Sequence, residues 1–204
     1  MTEPAYTRLA VDERRRRLLE LGAELFTQHA YNDLSMAQIA RRADISKALL
    51  YHYFPSKHAY FLATLSQAAD ELRTRTEPDP ALPPVEQLRG SLDAFLAFID
   101  ERGPAYRKLM ETAYSVPEVR ELVEGIRRFT ADRILEALVG GGEFPPTARA
   151  AVRAWLWFTD GAILDWLEYR DFDRAALSQL LLDTLLGSLA AATGEPVGEV
   201  PRLG

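Results

Sequence analysis

The densest run of side chains able to do chemistry is residues 46–57, SKALLYHYFPSK. It holds two lysines, two tyrosines and a histidine, with no carboxylate among them. Ammonium, phenol and imidazole groups donate hydrogen bonds and hold anions, phosphates included. Catalysis is a remote reading. The three histidines, His29, His52 and His58, lack the i,i+4 spacing that brings two imidazoles to one helix face, and cysteine is absent. No thiol nucleophile or disulfide is available, and neither a catalytic group, a metal site nor a cofactor is expected.

The chain has 204 residues, 48% of them hydrophobic, enough for a real core in one or two domains. Its net charge of −6 argues against a polyanion partner for the chain as a whole. The charge is uneven, however. Residues 1–60 carry 9 Lys+Arg against 7 Asp+Glu, and the remainder carries 15 against 23. The N-terminal quarter is therefore the part that can approach a polyanion most cheaply. The N-terminus lacks the apolar core of a signal peptide, and no apolar run reaches membrane-spanning length without a charge. A cytoplasmic protein with no membrane partner is expected.

The elements that must position the basic run are helical. Apolar residues recur at helical spacing, and no hairpin signature separates alternating runs. A first helix is predicted over residues 12–29, with Leu18, Leu21, Gly22, Leu25 and Phe26 on its inner stripe. A second opens at Ser35. Gln38 follows three residues later, the spacing of a capping box. A turn through Asp44 and Ile45 leads to Ser46, an N-cap for a third helix that Pro55 ends near Phe54. A fourth helix runs to residue 75. After the proline-rich EPDPALPP, five more are predicted: 85–101, 105–115, 118–139, 147–169 and 174–192. The fold class is thus all-α with about nine helices.

Two short helices joined by a tight turn make a helix-turn-helix, whose second helix enters the DNA major groove. With Leu50 at the centre of the buried face and about 100° per residue, Phe54 and Ser46 fall within about 40° of it. Ala48 and His52 lie about 160° away, and Leu49 and Tyr51 take the flanks. The outward surface is Lys47, Ala48, Leu49, Tyr51 and His52.

These residues resemble a known family. LFTQHAYNDLSMAQIARRADISKALLYHYFPSKHAYF is similar to the DNA-binding domain of the tetracycline-repressor (TetR) family of bacterial transcription regulators. The resemblance covers about residues 14–65 nearly continuously. It rests on the Leu-Phe of the first helix, Tyr31, S-M-x-x-I-A-x-x-A and I-S-K-x-x-L-Y-x-Y-F-x-x-K. It implies phosphate contacts from Ser35, Ser46, Lys47, Tyr51, His52, Tyr53 and Lys57, and base contacts from Ala48, Leu49 and Gln38. The chain departs from the family pattern at three places: Ala30 and Asp44 stand where glycine is usual, and the pair Ala48-Leu49 replaces a more common Gly-Thr. Asp tolerates a left-handed turn. Leu49 can meet a thymine methyl but donates no hydrogen bond. The run Arg14–Arg17 reads either as a solvated basic face or as a DNA contact.

The resemblance implies a helix-turn-helix domain over 1–55, a connecting helix over 56–75, a ligand-binding and dimerisation domain over 76–193 and a flexible tail over 194–204. It implies a homodimeric repressor of a palindromic operator, released by a small hydrophobic effector. Candidate pocket residues are the aromatics and methionine Phe95, Phe98, Tyr106, Met110, Tyr114 and Phe129. Trp155, Phe158 and Trp166 join them, with the carboxylates Glu111, Asp160 and Asp165 for a lipophilic cation or Arg107 and Arg153 for an anion. Most of the aromatics read first as core, and a pocket is what the resemblance adds. The last helix is leucine-rich around more than half its circumference, so one face suits a partner. Leu177, Leu181, Leu185 and Leu189, with Gly161 and Gly187, are the candidate dimer contacts. A DNA-binding regulator without a small-molecule ligand is the alternative.

Overall fold

A computed structural model describes residues 5–139 and 144–194. The expected tail beyond Gly194, and residues 140–143 of the glycine-rich loop, lie outside the described residues. Among the described residues the fold is all-α, with nine α-helices and one 3-10 turn. They are α1 (Ala5–Gln28), η1 (Tyr31–Asp33), α2 (Met36–Arg42), α3 (Lys47–Tyr53) and α4 (Lys57–Arg75). α5 (Pro84–Glu101), α6 (Gly103–Ser115), α7 (Pro117–Val139), α8 (Pro146–Tyr169) and α9 (Arg174–Thr193) follow.

Local chemistry sets the helix ends. Proline occupies the first position of α5, α7 and α8, where its missing N–H has no intrahelical partner to lose. Asp173 caps α9 by accepting from the Ala176 N–H at 2.8 Å. Helix α1 starts seven residues before its predicted start at residue 12. The added turns contain no glycine or proline, and an apolar stripe marks only what is packed, not where a helix begins.

The described residues form two compact units. The first runs up to Arg73 and takes in Pro104–Ser115; the second comprises Thr74–Gly103 and the residues from Val116 onward. The division thus falls inside α4 and returns for α6, where the sequence suggested a boundary at residue 76.

The first unit has an aromatic centre. Phe26 meets Phe61 edge-on at 4.6 Å between centroids, and Phe54 meets Tyr60 edge-on at 4.8 Å. The Tyr60 hydroxyl donates to the Leu18 carbonyl, which ties α4 to α1. Gly22 is what lets the two helices approach so closely. A Cβ there would lie 2.5 Å from Thr64 Oγ1 and 2.8 Å from Tyr60 Oη. Leu18, Leu25, Ile39 and Leu50 complete the core.

The second unit is built mainly on aliphatic side chains. Leu177, Leu181, Leu182, Leu185 and Leu189 of α9 are fully buried, together with Val152 and Ile163 of α8. The indole of Trp155 donates to the Leu181 carbonyl at 2.7 Å and that of Trp166 to the Phe172 carbonyl at 2.9 Å. Helix α9 has the length and hydropathy of a membrane span (20 residues, mean hydropathy 1.4). Its buried leucines are those of a core helix.

Candidate nucleic-acid interface

Ser35 and Gln38 form the expected capping box at the start of α2. The Ser35 hydroxyl accepts from the Gln38 N–H at 3.3 Å, and Gln38 Oε1 accepts from the Ser35 N–H at 2.8 Å. The Ser35 hydroxyl also donates to Gln38 Oε1 at 2.7 Å. Its proton is thus already used, and Gln38 is left with its amide NH2 to offer a base. The turn between α2 and α3 is made by Asp44 at φ 52°, the left-handed conformation expected of it. Ser46 then caps α3 by accepting from the Leu49 N–H at 3.1 Å, which leaves its own proton available.

On α3, Leu50 is fully buried (0% exposed) and Phe54 closes the helix from beneath. Lys47, Ala48, Tyr51 and His52 are exposed, while Leu49 and Tyr53 are half-buried. Leu49 and Tyr53 therefore divide their surface between support and outer face. The Lys47 ammonium lies 5.7 Å from the Tyr51 ring centre, so two outward groups brace each other. Lys57 is half-buried. Its ammonium donates to the Tyr31 carbonyl at 2.9 Å and sits 4.2 Å from the Tyr31 ring centre. It closes η1 and keeps further protons to donate.

The arginine run of α1 resolves into different environments. Arg16 pairs with Glu13 and Glu20 at 2.8 and 2.7 Å, and Arg17 pairs with Glu13 at 3.0 Å. Hydrogen bonds from Arg16 and then Arg17 hold the Glu13 carboxyl below its usual range. Arg15 instead stacks over Phe54, 5.5 Å from the ring centre.

The predicted pocket residues do not form one set. Tyr106, Met110, Glu111 and Tyr114 lie on α6 in the first unit. Tyr106 and Met110 are buried, Glu111 pairs with Lys108 at 3.1 Å, and Tyr114 is 79% exposed. The others belong to the second unit. Phe95 is half-buried there, whereas Phe98, Trp155 and Trp166 are buried core side chains. Phe129 and Phe158 are exposed. Asp160 does not face an open aromatic cage: Arg127 donates to it from two nitrogens and lies 4.1 Å from the Trp157 ring centre.

Sequence reasoning missed Arg127, although its spacing could have found it. It continues the inward stripe of Val119 and Val123 and precedes Ala131, so a charge there requires a partner. Thr159 was missed as well. It is 4% exposed, and its hydroxyl has no hydrogen-bond partner.

The dimer candidates also separate. Leu177, Leu181, Leu185 and Leu189 have no exposed surface and cannot meet a partner, because their own subunit covers them. Gly161 and Gly187 are exposed, with nothing within 4 Å of an added Cβ. The exposed large apolar side chains of α8 and α9 are Trp157, Phe158, Tyr169 and Leu180, with Tyr169 at the very end of α8.

Two family models match the chain. "Bacterial regulatory proteins, tetR family" covers residues 18–64, and "Tetracyclin repressor-like, C-terminal domain" covers residues 84–187. The transcriptional activator FasR of Mycolicibacterium smegmatis is 33% identical over 64% of this chain and 61% of its own. The transcriptional repressor KstR of Rhodococcus jostii is 27% identical over 56% of this chain and 54% of its own. The chain thus spans less than two thirds of the length of either curated relative. A crystal structure of a tetR-family regulator from Streptomyces coelicolor aligns with TM-score 0.78 and 30% identity, covering 90% of this chain and 83% of that one.

Proposed function

Because the chain belongs to the TetR family of bacterial regulatory proteins, we propose that it is a homodimeric repressor of a palindromic operator, released by a small hydrophobic effector. As a family member it is a DNA-binding transcriptional regulator and not an enzyme. The observation that carries the reading is the division of α3, with Leu50 inside and Lys47, Ala48, Tyr51 and His52 outside. In this reading the backbone is held by Lys47, Tyr51, His52, Tyr53, Lys57 and the free proton of Ser46. Ala48 and Leu49 offer apolar contact to bases, and Gln38 offers its amide NH2. The cytoplasm, where the bacterial chromosome lies, is its place of work.

Dimerisation uses the outer faces of α8 and α9. Trp157, Phe158 and Leu180 supply apolar area, and Gly161 and Gly187 allow close helix approach. A stable pair buries about 800 Å² on each partner. Two recognition helices about 34–36 Å apart then meet successive major grooves. The orphan hydroxyl of Thr159 supports an effector in the second unit, since a buried hydroxyl without a partner is destabilising until one arrives. An effector preferring a different spacing of the reading heads weakens DNA binding by about 5–150-fold at a typical coupling of about 1–3 kcal/mol. The continuous helix α4, which crosses the division between the units, is the link.

One observation favours the alternative without a small-molecule ligand. The indoles of Trp155 and Trp166 are already satisfied by backbone carbonyls, as core residues would be. Selection of bound sequences from random duplex DNA, repeated with candidate effectors, tests both readings. A palindromic consensus lost with one effector is the expected result. A consensus that no binding compound alters would leave the ligand-free regulator, and no selected sequence would end both.

A further inference from the structure

The four consecutive arginines of α1 do not share one role. Arg16 and Arg17 are held by Glu13 and Glu20, so most of their charge is compensated. Arg15 lies three residues before Leu18 and four before Leu19, on the inward stripe that both continue as buried residues. Arg15 itself is exposed, at the edge of that stripe. It finds the face of Phe54, the residue that ends α3. Among the described residues no carboxylate pairs with Arg15.

Its placement is rigid as well as exposed. The Tyr60 hydroxyl bond to Leu18 and the close approach at Gly22 fix α1 against α4. Arg15 sits one turn before Leu18, so its backbone cannot drift from the end of α3. A ring-stacked guanidinium keeps its whole charge and its in-plane N–H groups, the geometry that matches a phosphate. We infer that Arg15 is a DNA-backbone contact, presented beside the end of α3 by its stacking on Phe54.

This rests on the DNA-binding reading, and the test separates the two. The full chain is titrated with a duplex of random sequence, so no operator is needed, and affinity is followed against salt. Each phosphate neutralised contributes about 0.9 to the slope of log affinity against log salt. Arg15→Gln is expected to lower that slope by about 0.9 and to weaken binding at every salt concentration. Arg15→Lys keeps the charge and should keep the parent slope. Arg149→Gln, an exposed arginine of α8, removes equal charge from the second unit and should leave the slope unchanged. An undiminished slope in Arg15→Gln would overturn the assignment. So would a slope lost in Arg15→Lys, which would show that the stack matters and the charge does not. Absence of salt-dependent binding by the parent would instead refute DNA binding itself.

Discussion

The two units hold their cations differently. In the first, Arg15, Lys47 and Lys57 each lie over an aromatic ring, and among the described residues none has a carboxylate partner. In the second, Arg75, Arg102, Arg127 and Arg170 also lie over rings, yet each is paired with a carboxylate; Arg133, 5.7 Å from the Phe129 ring centre, is an exception. A ring steadies a cation without cancelling its charge, whereas a carboxylate does both. The first unit thus keeps a positive surface although the whole chain is negative. The second uses the same residue type to join its own helices, α7 to α8 through Arg127 and Asp160, and α8 to α5 through Arg170 and Asp100.

The contrast can be broken at its strongest point. Asp160→Ala leaves the Arg127 guanidinium, only 15% exposed, with Glu124 as a partial partner. The expected loss is about 2 kcal/mol of unfolding free energy in urea, with the salt slope of DNA binding unchanged. Unaltered stability would mean that the second unit's pairs are ornamental. Lys47→Ala is the mirror experiment. Binding to random duplex should weaken about tenfold, with the salt slope reduced by about 1 and stability nearly untouched. If the melting point falls while the slope holds, Lys47 belongs to the fold and the contrast fails.

Smaller effects sharpen it. Thr159→Val replaces an unsatisfied buried hydroxyl with a methyl of similar shape and should raise stability by about 1 kcal/mol. The same variant should bind an effector more weakly; a destabilised Thr159→Val would mean that the hydroxyl has a partner after all. The smallest effect concerns Glu101, whose carboxyl is held below its ordinary value of 4.5, first by the Arg75 hydrogen bond. A depressed folded pKa stabilises above the ordinary value and ceases to do so as pH falls through the folded one. Acid unfolding curves of Glu101→Gln and the parent should therefore converge below that range and separate slightly above it. Curves that stay parallel throughout would exclude this pair from the acid response.

Much of the reading unit was legible because its signals are local. Ser35, Gln38, Ser46 and Pro55 each act on a neighbour within a few residues, and Leu50 and Phe54 follow from helical period. Asp44 was expected to turn left-handed and does, whereas Arg170, at the same φ of 52°, carried no such signal. The second unit resisted because its facts are distant or symmetric. Asp160 lies 33 residues from its arginine. Leucine around most of α9 does not say which side faces inward, so the pattern alone cannot separate its fully buried leucines from partner contacts. The grouping of α6 with the first unit is likewise a property of packing that no local pattern encodes.

Tyr60 carries a consequence for how the first unit could be watched. Burial raises its phenol well above the ordinary value of 10.0. Because the folded form holds that proton more tightly, the stability it confers is intact below the ordinary value and drains away as pH climbs past it. In strong alkali one tyrosine's absorbance should therefore lag, and it should change only when α1 lifts from α4. The molecule carries its own optical clock for that opening, readable without a label.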